Sequence, residues 1–467
     1  MDAQGRIGGL RFSKKAAIQG IMTFGVPFLL FLIPTNETFT PVIQRYFVIT
    51  SMAVMTFCFG NVPQTAVAIL LPVSYVIFGV AQPSDIYSVW AGDTIWMILG
   101  GIILAAILQK SGLLKRIAYK CIILTGASYR GIIVGLGLAS IVLTIIMPGQ
   151  GFMAVAPLSY GICKALHLGK GKDAAGIMLS GAVLSLSTHF FLYNPHTLVV
   201  FGVGEQVTGP LNVTWGSYFM NNCISIVFFL LLMGVCLLMF KPSKPLSGKE
   251  YFVGALADMG KMQLQEKKCI AVSVLLVALL VTQPLHGVSA GWIFTAVPML
   301  LFLPGIAVGD SEDLKKIDYG FIFFIGACMA IGSSTSSLGI GDIIADIAIP
   351  ALQDCSATLV LFVVYVLCFL LNFIMTPLAI WSAFAVPFVS ITNAVGIDPQ
   401  ALFFLMYHAT DQVIMPYEYA YYLLFFSFGL IPLKEFVKIM GVKTILNAVF
   451  VFAILIPFWN LIGFLMA

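Results

Sequence analysis

The chain has 467 residues, 60% of them hydrophobic and only 9% charged, with a mean hydropathy of +1.02 and a formal net charge of +4. No soluble domain has this composition, so most of the chain must face lipid or other membrane helices, and no segment has the basic surface of a nucleic-acid partner. Nine cysteines, among them Cys58, Cys163, Cys236 and Cys368, lie singly in apolar segments without a CxxC pair, which reads as small core residues rather than metal ligands or disulfides.

Arg6, Arg11, Lys14 and Lys15 place the N-terminus in the cytoplasm. The apolar run after them lacks a small-residue cleavage site and reads as a retained helix rather than a signal peptide. Helices are predicted over 17–33, 45–61 and 63–81, the last leading to 82–93, which has two Asp and no Lys or Arg. The next, 94–109, returns to a basic stretch with Lys110, Lys115, Arg116, Lys120 and Arg130. The run 131–147 turns at Pro148-Gly149-Gln150-Gly151 and goes back to Leu166, ahead of Lys170 and Lys172. Basic residues on both sides of this pair predict a re-entrant hairpin. A helix over 174–205 is interrupted from Ser187-Thr188-His189 to Asn194-Pro195-His196-Thr197. Helix 217–240 then returns to the largest polar loop, 241–268, with Lys241, Lys244, Lys249, Lys261, Lys267 and Lys268.

The second half repeats the plan. Helices over 269–283 and 290–307 lead to Lys315 and Lys316, and 319–335 leads out to 336–356, with Asp342, Asp346 and Asp354 but no basic residue. A hairpin over 357–395 turns at Met375-Thr376-Pro377. Helix 399–431 is interrupted at Pro416 and ends inside at Lys434, Lys438 and Lys443, before a final helix, 444–466, carries the C-terminus outside. The expectation is an all-α polytopic membrane protein with eleven spans and two hairpins. Its parts are scaffold helices (1–92), a first repeat (93–216), further scaffold (217–317), a second repeat (318–443) and a last helix (444–467).

The stretch Tyr407–Tyr422 places His408, Asp411 and Glu418 around Pro416 inside a long apolar run. A carboxylate in a membrane helix costs several kcal/mol unless it is neutralised, paired or wet. Proline removes a backbone donor and breaks the helix, and broken backbone at membrane depth is tolerated only where it is buried in protein or lines a cavity. Charge and break together point to a binding site.

Gly101, Ala105, Ser111 and Leu113 recur as Gly326, Ala330, Ser336 and Leu338 at one offset of 225. The loop after the first of these segments is basic, whereas its equivalent is acidic. Homologous units with opposite charge bias lie in opposite orientations, and inverted repeats with discontinuous helices are the architecture of secondary transporters.

This plan resembles the divalent anion/sodium symporter family, whose members carry dicarboxylates, citrate or sulfate. The resemblance spans nearly the whole chain and is strongest over 93–200 and 318–467. It implies eleven helices, two hairpins, a homodimer and elevator-type movement. The family's hairpin tips carry Ser-Asn-Thr, where this chain has Pro148-Gly149-Gln150 and Met375-Thr376-Pro377. Its helix breaks carry two prolines, where this chain has one in each, Pro195 and Pro416. Carried over by position, one sodium site uses Pro148, Gly151 and Ser187, with Thr188 beside them. A second uses Asn372, Thr376 and Ser382 with carbonyls near Asp411. Hard cations take such oxygen ligands. Candidate substrate contacts are Gln150, Thr188, His189, Asn194, Thr197, Thr376, Ser382, His408 and Glu418.

The leading reading is a secondary active symporter for a small organic anion, a di- or tricarboxylate, driven by sodium in a bacterial inner membrane and using no other cofactor. Asp411 and Glu418 keep open a proton-coupled carrier of a less charged or zwitterionic substrate. An intramembrane enzyme is disfavoured because no HExxH, GxSxG or clustered Cys/His spacing appears. A passive channel is disfavoured by the paired hairpins and breaks. Asn36-Glu37-Thr38 and Asn212-Val213-Thr214 fit glycosylation sequons only weakly.

Overall fold

The computed structural model describes residues 14–59, 62–242, 248–340, 343, 346, 350 and 355–466. The positions of Arg6, Arg11, Lys244, Asp342 and Asp354 lie outside the described residues, as do the side chains of Lys14, Lys15 and Cys58. The fold is helical throughout what is described. In chain order the helices are α1 (Lys14–Phe31), α2 (Pro41–Phe59), α3 (Gln64–Ile77), α4 (Pro83–Tyr87), α5 (Asp93–Ser111), α6 (Leu113–Leu124), α7 (Tyr129–Ile146) and α8 (Gly151–Ala165). They continue as α9 (Lys172–Ser187), α10 (Leu198–Thr208), α11 (Trp215–Asn222), α12 (Ser225–Met239), α13 (Lys249–Asp258), α14 (Leu264–Val281), α15 (Gln283–His286) and α16 (Ala290–Met299). The rest are α17 (Ser311–Lys315), α18 (Tyr319–Ser337), α19 (Ala357–Leu371), α20 (Pro377–Ala394), α21 (Pro399–Thr410), α22 (Ala420–Ser427), α23 (Leu433–Phe450) and α24 (Ile456–Leu461).

Large apolar side chains are exposed on many helices, among them Phe24, Leu238, Phe362 and Leu461, and this is the surface of a protein solvated by lipid. Among the described residues, five helical stretches are long and apolar enough to cross a bilayer, and a sixth arises if α11 and α12, bent by 62°, form one span. Eleven spans were expected. Two of the five, α7 and α20, are arms of the expected hairpins, and the breaks account for two of the unmatched spans, because each half of an interrupted helix is too short to cross alone; α10 has 11 residues and α22 has 8.

Besides the short α4 and α17, two longer helices occupy segments expected to be loops. In α6, Leu113, Leu114, Ala118, Tyr119 and Ile122 are buried while Lys115 and Lys120 face out, so this basic stretch is an amphipathic helix. Its Arg116 is buried and chelates Glu266, with Nε donating to Oε1 at 2.7 Å and Nη2 to Oε2 at 3.1 Å. Arg116 Nη1 also donates to the Gly260 carbonyl, which ties the 241–268 segment down. Helix α13 is the second. A further correction concerns α23, which begins at Leu433 rather than 444 and carries Lys443 into the core, fully buried, instead of leaving it at a cytoplasmic end.

Packing crosses between the two halves of the chain. Helix α16, just ahead of α18, packs on α5, and α3, just ahead of α5, packs on α18. At the first contact a Cβ on Gly100 would lie 1.9 Å from the Phe294 carbonyl oxygen, so only glycine lets the backbones approach. Helix α10 packs on α18 and α20, while α22 packs on α8 and α9.

Candidate functional site

The interruptions in α9–α10 and α21–α22 and the turns of α7–α8 and α19–α20 meet in the interior. The first turn is buried from Met147 to Gln150. Gly149 adopts φ +77°, and a Cβ there would lie 2.8 Å from Asn194 Oδ1, so the tip closes against the first break with no room for a side chain. Gly151 opens α8, where a Cβ would sit 2.9 Å from Thr144 Oγ1. Pro148 lies in the same buried turn.

The first break is held by its own side chains. Asn194 Oδ1 accepts from the His196 amide at 3.0 Å, the local turn expected of an Asn before proline, and Asn194 Nδ2 donates to Thr197 Oγ1 at 2.9 Å and Tyr407 Oη at 3.2 Å. His189 Nδ1 lies 3.1 Å from the same Tyr407 hydroxyl, leaving Nε2 without a partner. Thr188 and Thr144 share a hydrogen bond of 2.8 Å, while the Ser187 hydroxyl returns to the Leu184 carbonyl.

The second turn and break are tied together by Asn372, whose Nδ2 donates to the carbonyls of Thr410 (2.7 Å) and Gln412 (3.3 Å), with Oδ1 left unpartnered. Thr376 caps α20, accepting from the Ala379 amide, and Pro377 takes the first helical position. The Ser382 hydroxyl bonds back to the carbonyls of Leu378 and Ala379. Glu418 folds over the break, accepting from the amides of Ile414 (3.1 Å) and Met415 (2.7 Å). The Asp411 carboxylate receives Lys443 Nζ at 2.6 Å and the Tyr422 hydroxyl at 3.2 Å, with both charged side chains 1% exposed. His408 stacks on Phe190, with centroids 4.0 Å apart, and its Nδ1 lies 3.1 Å from Asn447 Nδ2.

Between the two turns and the two breaks lies a cavity of about 400 Å³. Gln150 and His196 line it from the first half, and Thr376, Tyr419 and Tyr421 from the second, with Gln64 and Asp318 at its scaffold side. His196 spans the two halves: Gln150 Nε2 meets its Nε2 at 2.8 Å, and Tyr421 Oη meets its Nδ1 at 2.9 Å. With Gln150 donating, the ring is neutral and its proton lies on Nδ1, directed at Tyr421. Gln150 Oε1 is buried without a partner. Helices α8, α20 and α22 all begin at this cavity, at Gly151, Pro377 and Ala420.

Of the expected substrate contacts, Gln150 and Thr376 line the cavity. Thr188, His189, Asn194 and Thr197 form the hydrogen-bonded floor of the first break, and Ser382, His408 and Glu418 are engaged with backbone or packed away from it. The sequence alone gives Tyr407 and Tyr421 no role and puts Lys443 at the cytoplasmic end of the interrupted helix. A lysine ten residues past the start of a helix that opens at Leu433, just after Pro432, was the available signal. Among the described residues, no group of three or more His, Cys, Asp or Glu is placed to hold a metal ion.

The chain is similar to proteins of known class. The sequence profile of the sodium:sulfate symporter transmembrane region matches residues 14–465. A sodium-dependent dicarboxylate transporter of Staphylococcus saprophyticus is 23% identical over 307 residues, 59% of this chain and 58% of that protein. A membrane protein of Cupriavidus necator is 23% identical over 257 residues, 52% of this chain and 50% of that one. The matches thus span between half and three-fifths of these relatives' length. Among solved structures, the YdaH transporter of Alcanivorax borkumensis superposes with a TM-score of 0.57 at 15% identity, covering 89% of this chain and 98% of that one. MtrF of Neisseria gonorrhoeae, described as illuminating a class of antimetabolite efflux pumps, gives 0.58 at 13% identity, covering 93% and 96%. These likenesses concern the fold. With the profile running nearly from end to end, the chain belongs to the sodium:sulfate symporter family, a family of membrane carriers.

Proposed function

We propose that this protein is a sodium-coupled secondary carrier that moves a small organic anion, of the di- or tricarboxylate class, through the cavity between the two turns and breaks. One observation carries the reading: both turns and both breaks converge on one cavity that includes Gln150, His196, Thr376 and Tyr421. No lysine or arginine is among its lining residues. An anion there is held by the positive ends of α8, α20 and α22, the Gln150 amide and the Tyr421 hydroxyl. Aligned peptide dipoles attract an anion strongly enough to bind it and weakly enough to release it. Sodium coupling is supported by the family and by the sodium dependence of the Staphylococcus relative. In this reading the coupling ion uses carbonyl and hydroxyl oxygens around Pro148, Gly151, Ser187 and Thr188.

The crossed packing supports two inverted repeats, since each half's leading helix rests on the other half's scaffold helix and each broken helix sends its second part into the opposite half. Eleven spans, a homodimer and elevator-type movement belong to the same reading. The alternative of proton coupling loses support because Asp411 and Glu418 are both partnered and neither lines the cavity.

The test is uptake of labelled succinate, citrate and sulfate into proteoliposomes, with sodium and proton gradients imposed separately. Uptake of succinate or citrate that needs the sodium gradient is expected; uptake driven by protons alone overturns the coupling, and transport of none of the three overturns the substrate class. Cysteines at Lys170 and Ser356, both exposed, should label from opposite sides of the membrane, and labelling from one side removes the inverted repeat.

A further inference from the structure

The charge distribution at the two junctions of turn and break is unequal. At the first, the hydrogen bonds of Thr188, His189, Asn194 and His196 involve no lysine, arginine, aspartate or glutamate. At the second, Lys443 reaches in from α23. Its Nζ donates to the Asp411 carbonyl at 2.6 Å, Asp411 Oδ2 at 2.6 Å and Gln412 Oε1 at 2.9 Å. An ammonium has three N–H donors, and here each has its own oxygen.

Those oxygens are chemically mixed: one backbone carbonyl at the C-terminal end of α21, one carboxylate and one side-chain amide. That is the donor set of a hard monovalent cation rather than of a surface ion pair. The helix end adds negative potential at the same point. Asn372, from the turn before α20, donates to the carbonyls of Thr410 and Gln412 and so orients the loop that presents the oxygens. Tyr422 closes the other side, its hydroxyl donating to Asp411 and its ring centroid 5.4 Å from Nζ. Tyr421, the adjacent residue, faces the cavity. The cation is thus held by the neighbour of a residue that lines the proposed substrate site.

We propose that the Lys443 ammonium is a built-in cation occupying the second junction of turn and break, so that this half of the carrier takes no free coupling cation. The inference rests on the carrier reading and narrows it, leaving the first junction alone to take sodium.

The test measures cation binding and does not depend on transport. Lys443→Ala removes the equivalent of one propylammonium from the side chain. Thermal unfolding of the full-length protein in detergent should show that propylammonium, and separately sodium, raises the melting temperature of Lys443→Ala by several degrees beyond any change in the wild type, with choline as control. Lys443→Met, which fills the space, and Lys443→Ala/Asp411→Asn, which removes the anionic ligand, should lack that extra response. Should Lys443→Ala not survive purification alone, propylammonium in the buffers should recover it and should not recover Lys443→Met. An equal response in all variants, no response in Lys443→Ala, or a site that takes the amine and refuses sodium overturns the proposal. Absence of succinate, citrate and sulfate uptake with this binding pattern intact would instead overturn the substrate class proposed for the cavity and leave the cation assignment standing.

Discussion

Tyr421, in the first turn of α22, and His196, in the first break, are hydrogen-bonded at 2.9 Å across the cavity. The bond joins the two halves of the chain where the substrate is proposed to lie. Tyr421→Phe removes the hydroxyl and keeps the ring, which packs tilted against Phe152 with centroids 4.2 Å apart. The expected result is a fivefold rise in the KM for uptake, equivalent to about 1 kcal/mol, with little change in melting temperature. Initial-rate measurements across a substrate series check it.

Asp411 and Lys443 neutralise each other in the core. Asp411→Asn leaves the ammonium buried with one neutral partner in place of the carboxylate, so stability should fall by about 3 kcal/mol and the yield of folded protein with it. Asp411→Asn/Lys443→Met removes both charges and should recover most of that loss. Melting temperatures of the single and double variants, read as a thermodynamic cycle, decide the matter.

Gly149 and Gly161 make an internal comparison. Gly149→Ala places a Cβ against Asn194 at positive φ and should destabilise by about 1–2 kcal/mol while slowing uptake. Gly161, within α8, has nothing within 4 Å of its Cβ position, so Gly161→Ala should be neutral or stabilise by about 0.5 kcal/mol. Equal effects at the two positions would contradict the closed first tip.

Arg116 and Glu266 tie α6 to the start of α14. Burial pushes the Glu266 carboxyl up, but the Arg116 guanidinium and the Gln263 amide more than offset it, and the net shift is below the ordinary glutamate range. A depressed carboxyl contributes stability that is present above its unfolded value, about 4.3, and is lost as pH falls through the folded value. The acid limb of the melting-temperature profile should therefore flatten in Glu266→Gln, which should also be less stable near neutral pH. A profile that keeps the wild-type limb would remove Glu266 from the acid transition.

The parts of the fold visible in sequence were those written in hydropathy and proline. The turns at Pro148 and Thr376 and the breaks at Pro195 and Pro416 stand where apolar runs are punctuated by proline beside glycine or polar residues; a lost backbone donor alone is not enough, since Pro72, Pro157 and Pro387 lie inside helices. Helix α6 was hidden by its lysines, since a basic segment and the polar face of an amphipathic helix look alike without the partner that covers Leu114 and Ile122. Lys443 was hidden for a related reason. Charge is read as exposed until its counter-charge is known, and Asp411 lies on another helix. For the site, Gln150 and Thr376 were legible as polar residues at tips, whereas Tyr421 depended on which way the second break turns, a matter of tertiary packing.

The close approach of Gly100 to Phe294 also constrains how the molecule is made. Helix α5 leaves the ribosome long before α16 exists, so its glycine face must wait in the bilayer, uncovered, until the chain has been synthesised through the middle of the protein. The same holds for α3, whose resting place on α18 comes later still. Neither half can reach its final packing during its own insertion, and assembly of the interior becomes an event that follows the synthesis of the second half.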